Sequence, residues 1–101
     1  EGASEFITTQ LAAQDGQRIF LNADGLGADA TLKLELMTRD ERLLPGYSGT
    51  DAAVAQTSGY QVPVAWRGQE RLYGLPSGFR IKATFEGAKK EAIRFSALYL
   101  Q

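Results

Sequence analysis

Hydrophobic and polar side chains alternate along much of the chain, and the alternation is clearest between residues 17 and 38. Apolar residues recur at every second position there in two runs, Ile19–Ala23 and Leu32–Met37. Successive side chains of a strand point to opposite sides, so this period predicts two strands that each bury one face. The loop between them, Asp24–Asp29, contains two glycines and two aspartates. We expect the rest of the fold to be organised around this pair of strands.

Four further segments have strand-like sequences. Tyr60–Trp66 and Phe79–Phe85 show the same alternation, and Glu5–Ala13 is rich in residues that favour strands. The last segment, Glu91–Leu100, fits either a strand or the apolar stripe of a helix. We predict a strand because apolar residues alternate between Ile93 and Tyr99, and because a turn precedes them.

Turn-forming residues between these segments predict hairpins. Asp15–Gly16 lies between the first two apolar runs, and an Asp-Gly pair in that position is a strong hairpin signal. The charged residues Arg39–Arg42 predict the tip of a second hairpin, and Glu86–Lys90 predicts a third turn. Two longer segments, Tyr47–Gly59 and Gln69–Gly78, lack strand periodicity and are interpreted as loops.

Together with the hairpin arm at Leu43–Gly46, these segments make seven or so short, regularly spaced strands, which imply an all-β fold, an antiparallel β-sandwich that resembles a jelly roll. The chain has 101 residues, which fits a single domain spanning residues 1–101. It begins at Glu1 without a methionine or a signal-like segment. We therefore expect a module excised from a larger multidomain protein.

Charge and composition exclude several classes of function. The formal net charge is -1 and the 11 basic residues are spread along the chain, which argues against nucleic acid and anionic membranes as partners. No apolar run approaches the roughly 20 residues that a membrane span needs. The chain has no cysteine and no histidine, which removes thiolate metal sites and every triad that depends on either residue.

Enzymatic activity is not expected. Without histidine or cysteine, catalysis would rely on carboxylates, lysine or tyrosine. A glycosidase needs two carboxylates roughly 5–10 Å apart across a cleft. Glu35, Asp51 and Glu70 are present, but nothing in their positions orders them as an acid and a base, and we place Glu35 on the outward face of its strand.

Several short strings occur in the same order as in a known family. They are Leu21–Ala23 (LNA), Pro45–Ser48 (PGYS) with Asp51, and Val64–Trp66 (VAW) with Gly68. The chain resembles the C-terminal β-sandwich module of bacterial proteins whose main domain is a five-bladed propeller similar to glycoside hydrolase family 32. It departs from that pattern before the tryptophan strand, where members often have an aspartate and this chain has serine, glycine and tyrosine.

The resemblance implies a non-catalytic carbohydrate-binding module that targets a polysaccharide-active enzyme to its glycan. Its partners would be a polysaccharide or oligosaccharide and the catalytic domain of the same polypeptide. An extracellular or periplasmic location, as part of a secreted protein, would follow.

Aromatic residues in and beside the two loops are the candidate sugar-binding residues. A sugar stacks its apolar C–H face on a flat ring and offers its hydroxyls to polar side chains. The candidate rings and their polar neighbours are Tyr47, Asp51, Tyr60, Trp66, Arg67, Gln69, Glu70 and Tyr73. Trp66 lies two residues after Val64 and four after Val62, so in a strand it would share their face, and it therefore also fits the core.

Asp24 and Asp29, with carbonyl groups of the glycine loop, are candidate ligands of a structural Ca²⁺ ion, which takes six to eight oxygens. The spacing is not that of an EF-hand loop. Two acidic residues in a turn more often form Asx turns, which is the structural alternative.

A second function stays open, that of a structural or interaction domain that packs on a propeller or a partner protein without binding sugar. That role predicts an exposed apolar patch in place of a groove lined by aromatic rings. The patch would be built from Phe20, Met37, Leu98 and Leu100.

Overall fold

The computed structural model describes residues 5–88 and 93–101, and this part of the chain contains seven β-strands and one short 3-10 helix. The strands are β1 (Glu5–Ile7), β2 (Ile19–Asp24), β3 (Thr31–Met37), β4 (Ala53–Ala55), β5 (Gly59–Val64), β6 (Arg80–Glu86) and β7 (Arg94–Leu100). The 3-10 helix is Gly49–Asp51.

The strands form two antiparallel sheets. The four-stranded sheet has the order β1-β6-β3-β4, and the three-stranded sheet has the order β5-β2-β7. Only β3 and β4 are consecutive in the chain and also paired; every other connection crosses from one sheet to the other, as strands do in a jelly roll. The predicted all-β, antiparallel sandwich is confirmed, and so is a strand in the last segment, where residues 91 and 92 lie outside the described part.

The core lies between the inner faces of the two sheets and follows the predicted alternation. Leu32, Leu34 and Leu36 of β3 are fully buried, and so are Ile19 and Leu21 of β2. Burying one such side chain contributes about 1.5–3 kcal/mol. The two strands chosen from the sequence therefore supply the centre of each sheet.

Trp66 is the largest of the fully buried side chains in the described part of the chain. Its ring is 2% exposed, and its Nε1–H donates a hydrogen bond of 3.0 Å to the carbonyl oxygen of Leu34. A buried indole needs such a partner. Because Trp66 follows β5 and Leu34 belongs to β3, this bond ties the two sheets together.

The hairpin predicted at Asp15–Gly16 does not form. The strand before the turn, β1, pairs with β6, whereas β2 pairs with β5 and β7. The turn is used for a tertiary contact instead: the Gly16 N–H donates to the Leu72 carbonyl, and Asp15 Oδ1 accepts the Gly74 N–H. An Asp-Gly pair specifies a tight turn, but the partner of each strand is chosen by the sheet that buries it.

Of the other two predicted turns, one is confirmed as a hairpin. The Thr38 N–H donates to the Arg42 carbonyl, and the Leu44 N–H donates to the Leu36 carbonyl, around the charged tip. The turn that follows β6 does not join a hairpin, because β6 and β7 belong to different sheets. Residues 89 and 90 of that turn lie outside the described part.

The predicted apolar patch is wrong for three of its four residues. Met37 is buried, and Leu98 and Leu100 share the inner face of the three-stranded sheet, packed against the core. Phe20 does lie on the outer face, where its ring stacks on that of Tyr99 with centroids 5.9 Å apart.

Two glycines with positive φ test how tightly the loops are packed. Gly87 has a φ of 106°, and a Cβ there would collide with the carbonyl oxygen of Asp29. Gly16 has a φ of 92°, and a Cβ there would meet nothing within 4 Å. Gly16→Ala should cost about 1–2 kcal/mol of unfolding free energy, the strain of a left-handed backbone alone. Gly87→Ala should cost clearly more, because the Asp29–Ala30 backbone must also shift; urea unfolding followed by Trp66 fluorescence measures both. Equal losses for the two variants would contradict this packing.

Candidate functional site

A β-bulge in β5 exposes Tyr60. Leu21 pairs with Val62 and Ala23 pairs with Gly59, so the single residue Asn22 faces two residues of β5, Tyr60 and Gln61. The extra residue has a left-handed backbone, with φ of 56° at Gln61, and its N–H donates a hydrogen bond of 2.8 Å to Asn22 Oδ1. Bulges of this kind re-aim side chains next to binding sites. Tyr60 would face the core by simple alternation, yet it is 87% exposed.

A second bulge lies directly across β2, in β7. Asn22 pairs with Ala97 and Ala23 pairs with Phe95, so Ser96 is the extra residue. The bulge reverses the inner and outer faces along β7. Phe95 packs against the core, although it has the same parity as Tyr99, which lies on the outer face.

The two bulges meet at one end of the three-stranded sheet and shape a depression of about 410 Å³. We call it the Tyr60 cleft; it is lined by Ala23, Asp24, Ser58, Gly59, Tyr60, Arg94 and Phe95. It combines one exposed aromatic ring with a carboxylate, a hydroxyl and a guanidinium group.

Backbone hydrogen bonds orient two of the polar groups in the cleft. Ser58 Oγ accepts the Leu26 N–H at 2.8 Å, and Asp24 Oδ1 accepts the Gly25 N–H at 2.9 Å. Asp24 and Arg94 are partners in register across β2 and β7, and both line the cleft. Such an amphipathic arrangement, an apolar platform with a few placed polar groups, is typical of small-ligand sites.

A second depression, of about 420 Å³, gathers most of the other predicted residues. We call it the turn depression; it is lined by Gly46, Tyr47, Trp66, Arg67 and Gln69. Asp51 flanks it through an ion pair, with Oδ1 3.4 Å from Arg67 Nε.

The turn depression depends on a tight turn. Trp66 and Gln69 exchange both of their backbone hydrogen bonds, and the two residues between them have φ of 54° at Arg67 and 79° at Gly68. Positive φ at both central positions defines a type I′ turn. The turn projects the Arg67 side chain into solvent, where it is 68% exposed.

Trp66 does not supply a stacking platform, and that part of the prediction is wrong. Its ring is buried in the core, where Tyr47 contacts it edge-on with ring centroids 6.0 Å apart. The alternative, that Trp66 belongs to the core on the same face as Val62 and Val64, is confirmed.

Glu35 anchors the loop that carries Asp51, and its predicted place on the outward face of β3 is confirmed. It lies on the outer face of β3 but is only 5% exposed. The chain that follows the Arg39–Arg42 hairpin folds back over Glu35, and the Leu36 N–H donates a hydrogen bond to the Tyr47 carbonyl. Glu35 Oε2 then accepts the Gly49 N–H at 2.8 Å, which anchors the 3-10 helix that carries Asp51.

Two predicted residues lie outside both depressions. Glu70 forms an ion pair with Arg18, whose guanidinium carbon lies 5.0 Å from the centre of the Phe20 ring. Tyr73 is exposed in the loop that contacts Asp15 through Gly74. The eight predicted residues thus do not form one site: one lines the Tyr60 cleft, five lie in or beside the turn depression, and two lie outside both.

The Asp24 carboxylate accepts the N–H of the next residue, Gly25, whereas an Asx turn would need the N–H of Leu26, which donates to Ser58 Oγ instead. Asp29 is exposed. In residues 5–88 and 93–101 there is no group of three or more Asp, Glu, His or Cys side chains that could hold a metal ion. A Ca²⁺ site at the two aspartates would have to draw its other ligands from backbone carbonyls, and it stays a prediction.

Ser58, Arg94 and Phe95 were missed by the sequence analysis. Only Ser58 had a signal nearby: Gly59 follows it at the start of a strand-like run, and an isolated glycine in such a run often marks a bulge. Nothing local marked Arg94, because its place in the cleft depends on pairing with β2.

Comparisons with protein-family models, with curated proteins and with solved structures found no match to this chain. Among the described residues, no helix has the length and apolar character that crossing a membrane requires. The site must therefore be interpreted from its own geometry.

The role of Glu35 can be tested with two substitutions. Glu35→Ala leaves the Gly49 N–H without its acceptor and should lower the unfolding free energy by about 1–3 kcal/mol. Glu35→Gln keeps an acceptor oxygen and should cost less. Urea unfolding measures both losses, and hydrogen exchange at the Gly49 amide should quicken mainly in the alanine variant. If alanine and glutamine behave alike, the hydrogen bond does not anchor the loop.

Proposed function

We propose that this chain is a non-catalytic carbohydrate-binding module and that the Tyr60 cleft is its glycan site. The observation that carries the proposal is the exposure of Tyr60, at 87%, beside a carboxylate, a hydroxyl and a guanidinium. An exposed aromatic ring beside a few polar groups in a concave surface is the arrangement typical of a small-ligand site.

The chemistry of the cleft suits a sugar ring. The face of Tyr60 offers an apolar platform for axial C–H groups. Asp24 accepts hydrogen bonds from hydroxyl groups, Arg94 donates them, and Ser58 does both. The side chains of opposite charge suit a neutral or weakly charged glycan better than a highly charged one.

The resemblance to modules of propeller proteins supports a targeting role. In that role the module would hold the catalytic domain of its polypeptide on a polysaccharide, outside the cytoplasm in a secreted bacterial protein. The turn depression, with Tyr47 and Arg67, is a second place where such a chain could bind.

The competing proposal is a structural domain that packs on a propeller or another protein without binding sugar. The stack of Phe20 and Tyr99 on the outer face of the three-stranded sheet favours it, because those rings lie outside the core. The two functions differ in what loss of Tyr60 does.

Affinity electrophoresis against soluble plant and algal polysaccharides tests the proposal. At least one polysaccharide should retard the wild-type chain. Tyr60→Ala should weaken that binding by about tenfold or more, the effect of losing a central aromatic anchor. Tyr60→Phe should retain most of it, because the ring is kept.

Tyr73→Ala is the matched control, since it removes an exposed tyrosine distant in the chain from the cleft. Tyr47→Ala separates the turn depression from the Tyr60 cleft. Absence of retardation across the panel, or retardation that Tyr60→Ala leaves unchanged, would overturn the assignment to this cleft.

A further inference from the structure

Three of the four sheet edges in the described part of the chain are protected against pairing with another strand. β1 and β4 each have three residues. β5 is interrupted by the bulge at Gln61 and contains Pro63. Short strands, bulges and prolines are the usual devices that block edge-to-edge association.

The alternation of hydrogen-bonded and non-hydrogen-bonded pairs in the three-stranded sheet shows which way the nitrogen of Pro63 points. Arg18 and Gln101 exchange both backbone hydrogen bonds just beyond the ends of β2 and β7. Bonded and non-bonded pairs alternate in an antiparallel ladder, so Phe20 and Tyr99 are the next bonded pair. Phe20 therefore points its backbone groups away from Pro63, its partner in β5. The proline nitrogen faces the outer edge, where a missing donor protects the strand.

The edge formed by β7 has no such protection beyond its bulge. From Ala97 to Leu100 the strand is regular, with no proline and no charged residue. By the same alternation, Leu98 and Leu100 point their N–H and C=O groups away from β2. Among residues 5–88 and 93–101, no strand pairs with that side of β7.

We propose that two copies of this chain dimerise by antiparallel pairing of β7 with β7 across a two-fold axis at Tyr99. Leu98 then exchanges both hydrogen bonds with Leu100 of the second copy, and the reverse pair does the same. The two three-stranded sheets join into one continuous sheet. A two-fold contact uses the same surface on both copies, which this edge satisfies without any shift of register.

The side chains fit this pairing as well as the backbone does. Tyr99 faces Tyr99 of the second copy in a non-bonded pair, where side chains approach most closely. On each copy Pro63, Phe20 and Tyr99 are adjacent in register on the outer face, so the row continues across the axis. No charges of like sign oppose each other between Ala97 and Gln101.

The dimer leaves the Tyr60 cleft uncovered. The cleft lies at the Arg94 end of β7, whereas the axis lies near the other end. Each dimer would present two clefts, but dimerisation does not depend on whether they bind sugar.

Disulfide trapping tests the proposed axis directly, since the chain contains no cysteine. In Tyr99→Cys the two thiols would lie on residues with Cα atoms about 4.5 Å apart, within the range a disulfide allows. Mild oxidation should convert this variant to a covalent dimer at least about tenfold faster than the controls Ala97→Cys and Val54→Cys. Ala97 would face Gln101 of the second copy, and Val54 is exposed on the β4 edge.

Light scattering of the 101-residue chain over a concentration series provides a second readout. The wild type should approach twice the chain mass of 11.0 kDa. Tyr99→Glu should weaken dimerisation at least about tenfold by opposing two like charges, whereas Val54→Glu should leave it unchanged. Trp66 fluorescence verifies that each variant is folded. A wild type that stays monomeric, or trapping at Tyr99→Cys no faster than at Val54→Cys, would overturn the proposal.

Discussion

The register of β2 is the constraint on which the three-stranded sheet and its cleft depend. The inner face of β2 must stay against the core, because Ile19 and Leu21 are fully buried there. Both neighbouring strands contain one residue too many to match it at Asn22, and each places the extra residue in a bulge. The bulges turn Tyr60 outward and Phe95 inward. The extra residue in each neighbouring strand therefore shapes both the edge of the core, at Phe95, and the candidate site, at Tyr60.

Asn22 stabilises this arrangement on one side. Its side-chain oxygen accepts the N–H of Gln61, a residue held in the left-handed region. A non-glycine residue there costs about 1–2 kcal/mol, and a hydrogen bond from its own N–H offsets part of that cost. Strain of this kind concentrates at functional sites, which agrees with the position of the cleft.

The turn depression has a different origin. Its residues come from the loop that follows the Arg39–Arg42 hairpin and from the type I′ turn after β5. Glu35 fastens the loop to β3, and Trp66 fastens the turn to the core through Leu34. Tyr47 and Arg67 are brought together by these two anchors, because no ladder joins their segments.

The sequence by itself determined the longer strands and their inward faces, but it did not reveal β4, which lies inside the segment Tyr47–Gly59 that was interpreted as a loop. A period of two is a local property, and it marks the inward positions of β2, β3 and β6, all of which are apolar. The hairpin at Arg39–Arg42 was predicted correctly because its hydrogen bonds join residues that are close in the sequence. Alternation also offered the core as an alternative position for Trp66, and the structure places it there.

Tertiary structure alone decided the strand partners, the two bulges and the burial of Glu35. Pairing joins residues far apart in the chain, so the Asp15–Gly16 turn could not reveal that its strands enter different sheets. A bulge is defined by the pairing with a neighbouring strand, so the alternation along β5 predicted the wrong face for Tyr60. The place of Arg94 beside the cleft depends in the same way on the pairing of β7 with β2. Glu35 has the parity of a solvent-facing residue and is buried because a distant loop folds over it. Alternation along one strand records that strand's own faces, and it contains no information about what lies beside or above them.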